Sequence, residues 1–192
     1  MFSRSSTLSV YDFLIDHLKA RPTIEVPGLI RLGPVAKALG LLSACEAKLV
    51  THGTQPFYSP VDDVIVMPGL AFYAMRRTLL GATRYAADVL HEAIHWTGHN
   101  SRLSRPRHVE QFDATYAREE LIAEIGAALL MADLRMSKRP ILPHAKYLSG
   151  YLGTLANPGL ELDIALARAN QAAGFLVAVA RDRIARPTLA YA

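Results

Sequence analysis

The apolar residues of this 192-residue chain change their spacing twice, and those changes restrict the folds open to it. Over residues 8–20, Val10, Phe13, Leu14 and Leu18 fall on one side of a helix. Pro22, Pro27 and Pro34 punctuate an irregular stretch, after which residues 35–45 have helical spacing again. From residue 47 the pattern shortens. Ala47 to Thr51, Phe57 to Ser59 and Asp63 to Met67 read as strands, broken by Gly53, Pro56 and Pro60. Beyond Pro68 the helical period returns, over about 70–80, 83–99, 115–135, 144–156 and 160–185, with Gly150, Gly153, Pro158 and Gly159 at helix ends or loops. Short strands followed by a run of helices predict an α+β fold: a small N-terminal β-meander, then a helical body. Residues 1–45 are expected as a helical extension and 46–192 as the main domain.

Composition narrows the function classes. With 51% hydrophobic and 20% charged residues the chain is globular, and its length suits one well-filled domain. A net charge of +4 permits weak attraction to acidic partners without identifying one. The single cysteine, Cys45, excludes an intrachain disulfide and a Cys-rich metal site. Its neighbours Leu41, Leu42 and Ala44 are apolar and no His is near in sequence, so it reads as packing. Ser3 to Ser9 is polar and Asp12 interrupts the residues after it, which argues against a signal peptide. The apolar run Ala172 to Ala180 is too short to cross a bilayer. The expected setting is the cytoplasm, with delivery into a recipient or host cell as a variant of it.

The chemistry is concentrated in Asp88-Val-Leu-His-Glu-Ala-Ile-His-Trp-Thr-Gly98. Residues four apart on a helix differ by about 40° in direction, so His91 and His95 project together and can grip one zinc ion. Glu92 reaches the side of the same site, where its carboxylate can act as general base toward an activated water. A third ligand is required. Gly98 fits a Gly three residues after the second His, but position 101 is Ser rather than His, and His99 falls two residues short. The other source is the helix Tyr116 to Leu130, with Glu119, Glu120 and Glu124. Glu124 lies amid Leu121, Ile122, Ala123, Ile125, Ala127 and Ala128 and is the first choice, because a buried carboxylate needs a cation. Glu120 is the second choice, or a group orienting a ligand histidine. Glu119 reads as a solvated face.

The stretches HEAIHWTGHNSRLSR at 91–105 and YAREELIAEIGAALL at 116–130 resemble the metallopeptidase domain of ArdC-type antirestriction proteins, which recurs in polyvalent proteins of plasmids and phages. The likeness continues through YSPVDDVIVMP at 58–68 and HAKYLSGYL at 144–152, covering about residues 45–180. It implies a gluzincin-like zincin fold, with zinc held by His91, His95 and Glu124 and with Glu92 as catalytic base. More distantly, EIGAALLM at 124–131 is similar to the third-ligand helix of ImmA/IrrE-type peptidases, which favours Glu124 over Glu120. Tyr147 sits where the family tends to place a Tyr, and would donate a hydrogen bond to the oxyanion. ArdC-type proteins also carry an N-terminal domain that binds single-stranded DNA, for which the 45 residues ahead are too few. Arg102, Arg105 and Arg107 form a basic cluster without interleaved aromatics, so nucleic acid is weakly supported as a partner. The expected function is zinc-dependent hydrolysis of a protein or peptide substrate, with no membrane partner. The alternatives are a non-catalytic metal-stabilised binding module and an antirestriction factor that sequesters a host protein or nucleic acid.

Overall fold

The structure is a computed structural model and describes residues 15–20, 22, 26, 28–29, 31–75, 81–106, 114–136, 150–153 and 155–186. Residues 15–20 are helical, as the period predicts. Helix α1, Pro34–Ala44, starts with Pro at its first turn, where the missing N–H costs nothing. It buries Ala38, Leu41 and Leu42, and Lys37 Nζ reaches the Arg135 carbonyl at 3.4 Å. The boundary expected at residue 46 falls just after α1, and α1 lies within the common core with Leu90, Leu130 and Leu176.

Three strands come next: β1, Lys48–Thr51, β2, Phe57–Ser59, and β3, Val64–Met67. The small sheet is present, but it is not a meander. Its order is β1-β3-β2, with β3 parallel to β1 and antiparallel to β2. The reason lies in the side chains. Val64, Ile65, Val66 and Met67 are all buried, so β3 must be covered on both faces and flanked on both edges. β1 and β2 contain no fully buried residue and take the edges. The register pairs Leu49 with Ile65 on one side and Tyr58 with Ile65 on the other.

The helical body comprises α2, Leu70–Met75, α3, Gly81–Thr97, α4, Ala114–Asp133, and α5, Pro158–Ala185. Residues 150–152 are helical too, while the rest of the helix expected over 144–156 lies largely outside the described residues. Helix α4 is buried at every position from Leu121 to Met131, the mark of a helix surrounded on all sides. Helix α3 packs on one side of it and α5 on another. Asn157 caps α5, its side-chain oxygen accepting from the Leu160 N–H at 3.4 Å. By length and composition α5 could cross a membrane, a longer apolar stretch than the run Ala172 to Ala180 suggested. In this fold its Ala165, Ala169, Ala172, Ala173, Leu176 and Ala180 join the core instead. Cys45 is buried as expected, its thiol donating toward the Leu176 carbonyl at 3.5 Å, and burial pushes that thiol up to about 12.

Candidate metal centre

Two helices meet closely because one of them lacks a side chain at the crossing. A Cβ at Gly126 of α4 would lie 2.7 Å from Cδ1 of Ile94 on α3. This contact brings the carboxylates of α4 up to the imidazoles of α3. The Nε2 atoms of His91 and His95 stand 3.1 Å apart. Glu120 places one carboxylate oxygen 3.6 Å from His91 Nε2 and the other 3.6 Å from His95 Nε2. These three residues form a group able to hold a metal ion. Ligands about 2.0–2.1 Å from a tetrahedrally held ion are about 3.3–3.4 Å from one another, so the separations match such a site. Two imidazole nitrogens facing each other at this distance also require a cation or a proton between them. The residues present therefore fit a divalent ion.

Glu124 has a different place. Its carboxylate lies 3.7 Å from Nδ1 of His91, the ring nitrogen opposite to the one facing Glu120. An imidazole offers a metal one nitrogen, so Glu120 and Glu124 cannot both join His91 around the same ion.

Glu119, read from the sequence as a solvated face, is instead drawn into the site, its side chain only 13% exposed. It accepts from His95 Nδ1 at 3.1 Å, which leaves the Nε2 lone pair of His95 free to face Glu120. Arg105 holds Glu119 in turn, donating from Nε at 2.9 Å and from Nη2 at 2.7 Å. Further donation goes from Arg105 Nη1 to the Thr97 hydroxyl at 2.7 Å and from Nη2 to the Ile94 carbonyl at 2.6 Å. Arg105 is only 5% exposed. Gly98 makes its room: a Cβ there would lie 3.0 Å from Arg105 Nη2. Arg102 is equally committed. It stacks 3.7 Å above Trp96, donates to the Trp96 carbonyl at 2.7 Å, and grips Asp63. Two members of the basic cluster are thus internal supports; Arg107 lies outside the described residues.

Electrostatics reflect this crowding. Burial raises the Glu92 carboxyl, against the opposing pull of His91 and His95. Burial alone would lower His91, but Glu120, Glu124 and Glu92 outweigh it and raise the ring to about 10. Burial would raise Glu119, yet Arg105 and His95 hold it below the usual carboxylate range. Glu120, against the same burial, is held down to about 2 by His91 and His95.

Glu92, His95, Glu119 and Glu120 line an open cavity of about 550 Å³, with Tyr116 and His99 on its walls. Tyr151 donates to Glu120 at 3.4 Å and meets Tyr116 edge to face at 6.0 Å. Nothing in the local sequence pattern marks these two tyrosines. Tyr147 lies outside the described residues.

Two histidines one turn apart, a facing carboxylate and a buried Glu beside a small sheet define a zincin-like centre. The chain belongs to the zincin-like metallopeptidase family, whose profile matches residues 36–167. It is 33% identical over 152 residues to the DNA primase TraC of Escherichia coli, across 78% of this chain and 10% of that protein. It is 32% identical over 158 residues to the uncharacterized protein y4eC of Sinorhizobium fredii, across 82% of this chain and 50% of that one. The chain therefore spans half or less of the length of these relatives. Among solved structures it is similar to the antirestriction protein ArdC of plasmid R388 in its Mn(II)-bound form, with TM-score 0.60 and 33% identity, covering 78% of this chain and 54% of that one. The metal-free form of the same protein gives TM-score 0.59.

Proposed function

We propose that this chain is a zinc-dependent peptidase of antirestriction ArdC type, the product of a mobile element, acting on a protein or peptide substrate in the cytoplasm. One observation carries the reading: the donors of His95 and Glu120 open onto the same 550 Å³ cavity as the buried carboxylate of Glu92. A purely structural zinc site is closed, whereas a catalytic one keeps an open side. The Mn(II)-bound form of ArdC supports a divalent ion here by similarity.

His91 and His95 would hold the ion through Nε2 and Glu120 through its carboxylate, in the third place that the sequence offered first to Glu124. When bound, zinc supplies a Lewis acid and acidifies water. The rest is done by the chain. Glu92, with its carboxyl raised by burial, is suited to take a proton near neutral pH and return it to the leaving amine. Glu119 fixes the tautomer of His95, and Glu124 lies at the outer nitrogen of His91 to steady that ring.

The test combines metal content by elemental mass spectrometry with hydrolysis of fluorogenic casein. Wild type should carry close to one zinc per chain, and His95→Ala and Glu120→Ala should lose it. Glu124→Ala should retain metal with weakened affinity. Glu92→Gln should keep the metal and lose turnover by about 10²–10⁴-fold. Metal-loaded wild type with no hydrolysis would favour a non-catalytic binding module; full metal in Glu120→Ala would return the third place to Glu124.

A further inference from the structure

His99 lies just beyond the end of α3, half-buried on the wall of the cavity that Glu92 and His95 share. The hydrogen bonds around its ring decide which nitrogen carries the proton. The Ser101 backbone N–H, which can only donate, points at His99 Nδ1 at 3.2 Å. The Ser101 hydroxyl also lies 2.8 Å from Nδ1. Because Nδ1 already accepts from that N–H and carries no proton, the hydroxyl must donate to it, while Oγ accepts from Arg102 Nη1 at 3.3 Å. Arg102 cannot turn away, because its other donors are spent on Asp63, on the Trp96 carbonyl and on the Tyr58 hydroxyl at 3.3 Å. Nδ1 is therefore an acceptor twice over. The neutral ring must carry its proton on Nε2, for which no partner exists among the described residues.

Resting on the peptidase reading, we propose that His99 is a substrate-binding residue whose Nε2–H donates a hydrogen bond to a main-chain carbonyl oxygen of the peptide in the cleft. A neutral imidazole with a fixed tautomer suits this task. It offers one directed donor, adds no charge beside the metal centre, and is held by a chain of bonds running from Asp63 through Arg102 and Ser101. The ligand class is an extended peptide presenting an amide oxygen. His99 also accounts for a residue that the sequence pattern left over, two positions short of a metzincin-type third ligand.

Two measurements test this on the metal-loaded full chain. Long-range ¹H–¹⁵N correlation spectra should show His99 protonated on Nε2; a ring protonated on Nδ1 would overturn the proposal. With fluorogenic casein as the probe, His99→Ala should raise KM about tenfold, the worth of one hydrogen bond, with kcat within about twofold of wild type. His99→Gln carries an amide N–H close to the ring Nε2 and should recover most of that loss. His99→Asn, whose amide falls nearer Nδ1, should not. Zinc content should stay unchanged in all three. An unaltered KM in His99→Ala alongside active wild type would sink the role of His99 alone. Metal-loaded wild type with no turnover would instead remove the peptidase reading, and this role with it.

Discussion

Helix α4 has two seams made of opposite materials. Toward α3 it presents Glu119, Glu120 and Glu124 against His91, His95 and Arg105, all of them largely withdrawn from water. Toward α5 it meets a helix whose buried face is mostly alanine, with Leu176 and Val177 added. The charged contact described there is Arg118 on Glu161, at 2.6 Å through both carboxylate oxygens, with Arg118 half exposed. Small side chains let helix axes approach and bury apolar surface at little cost in conformational freedom. Buried charges do the reverse: the desolvation they suffer is offset only while every partner is in place. One seam is built for stability and the other for holding charge in a fixed arrangement. They lie on opposite sides of a single helix about 10 Å across.

The sharpest way to break this contrast is Arg105→Ala. It would strand the buried Glu119 carboxylate and free the ring of His95, so the loss reaches both the fold and the metal. We expect a destabilisation of about 3–5 kcal/mol, the usual result of removing one partner from a buried ion pair. Zinc affinity of the folded fraction should fall about 10–100-fold, as for other supports of a ligand histidine. Chemical denaturation and competition with a chelator would measure the two losses. Unchanged affinity would show that Arg105 only braces the loop after α3.

The opposite seam should separate those two effects. Leu176→Ala removes a fully buried side chain of α5 and should cost about 2–5 kcal/mol through the cavity it leaves. Zinc affinity measured on folded protein should stay within about twofold of wild type, because no group of that seam touches the centre. A parallel fall in affinity would mean that the seams are mechanically coupled through α4.

The two seams also differ in how legible they were. The strand positions, the helices flanking them and the projection of His91 with His95 all derive from apolar period and helical spacing, which are local properties. The apolar face of α5 is of this kind. The order of the strands was not, because pairing depends on which strand is covered on both faces. The choice between Glu120 and Glu124 is not readable from period for a related reason. They differ by about 40° around α4, and periodicity does not set a helix's rotation against its neighbour that finely. Gly126 on Ile94 sets it. Glu119 and Arg105 look like ordinary surface charges in sequence, since each is buried only by virtue of the other. The spacing of Gly98 before Arg105 was the one available hint, and its meaning needed the fold.

The smallest effect, per unit of pH, distinguishes the seams by titration. His91 is raised from 6.5 to about 10 in the metal-free site. A folded value above the unfolded one adds stability that is complete below pH 6.5 and drains away as pH rises toward 10. Glu120, lowered from 4.5 to about 2, works in the other direction: its contribution is complete above pH 4.5 and is lost as pH falls toward 2. The combined contribution of these two groups to the metal-free protein should therefore be greatest between these limits, at about pH 4.5–6.5. Zinc must displace the proton from His91, so its affinity should rise about tenfold, or 1.4 kcal/mol, for each unit of pH above 6.5. The difference in Tm between zinc-loaded and metal-free protein should accordingly widen from pH 6.5 to 9, and should do so equally in Leu176→Ala. In that range the α5 seam has nothing to titrate, because Arg118 keeps the Glu161 carboxyl below its usual range. A difference in Tm that does not change with pH would mean that the imidazoles carry no proton for the metal to displace. The charged seam would then owe its stability to packing, as its neighbour does.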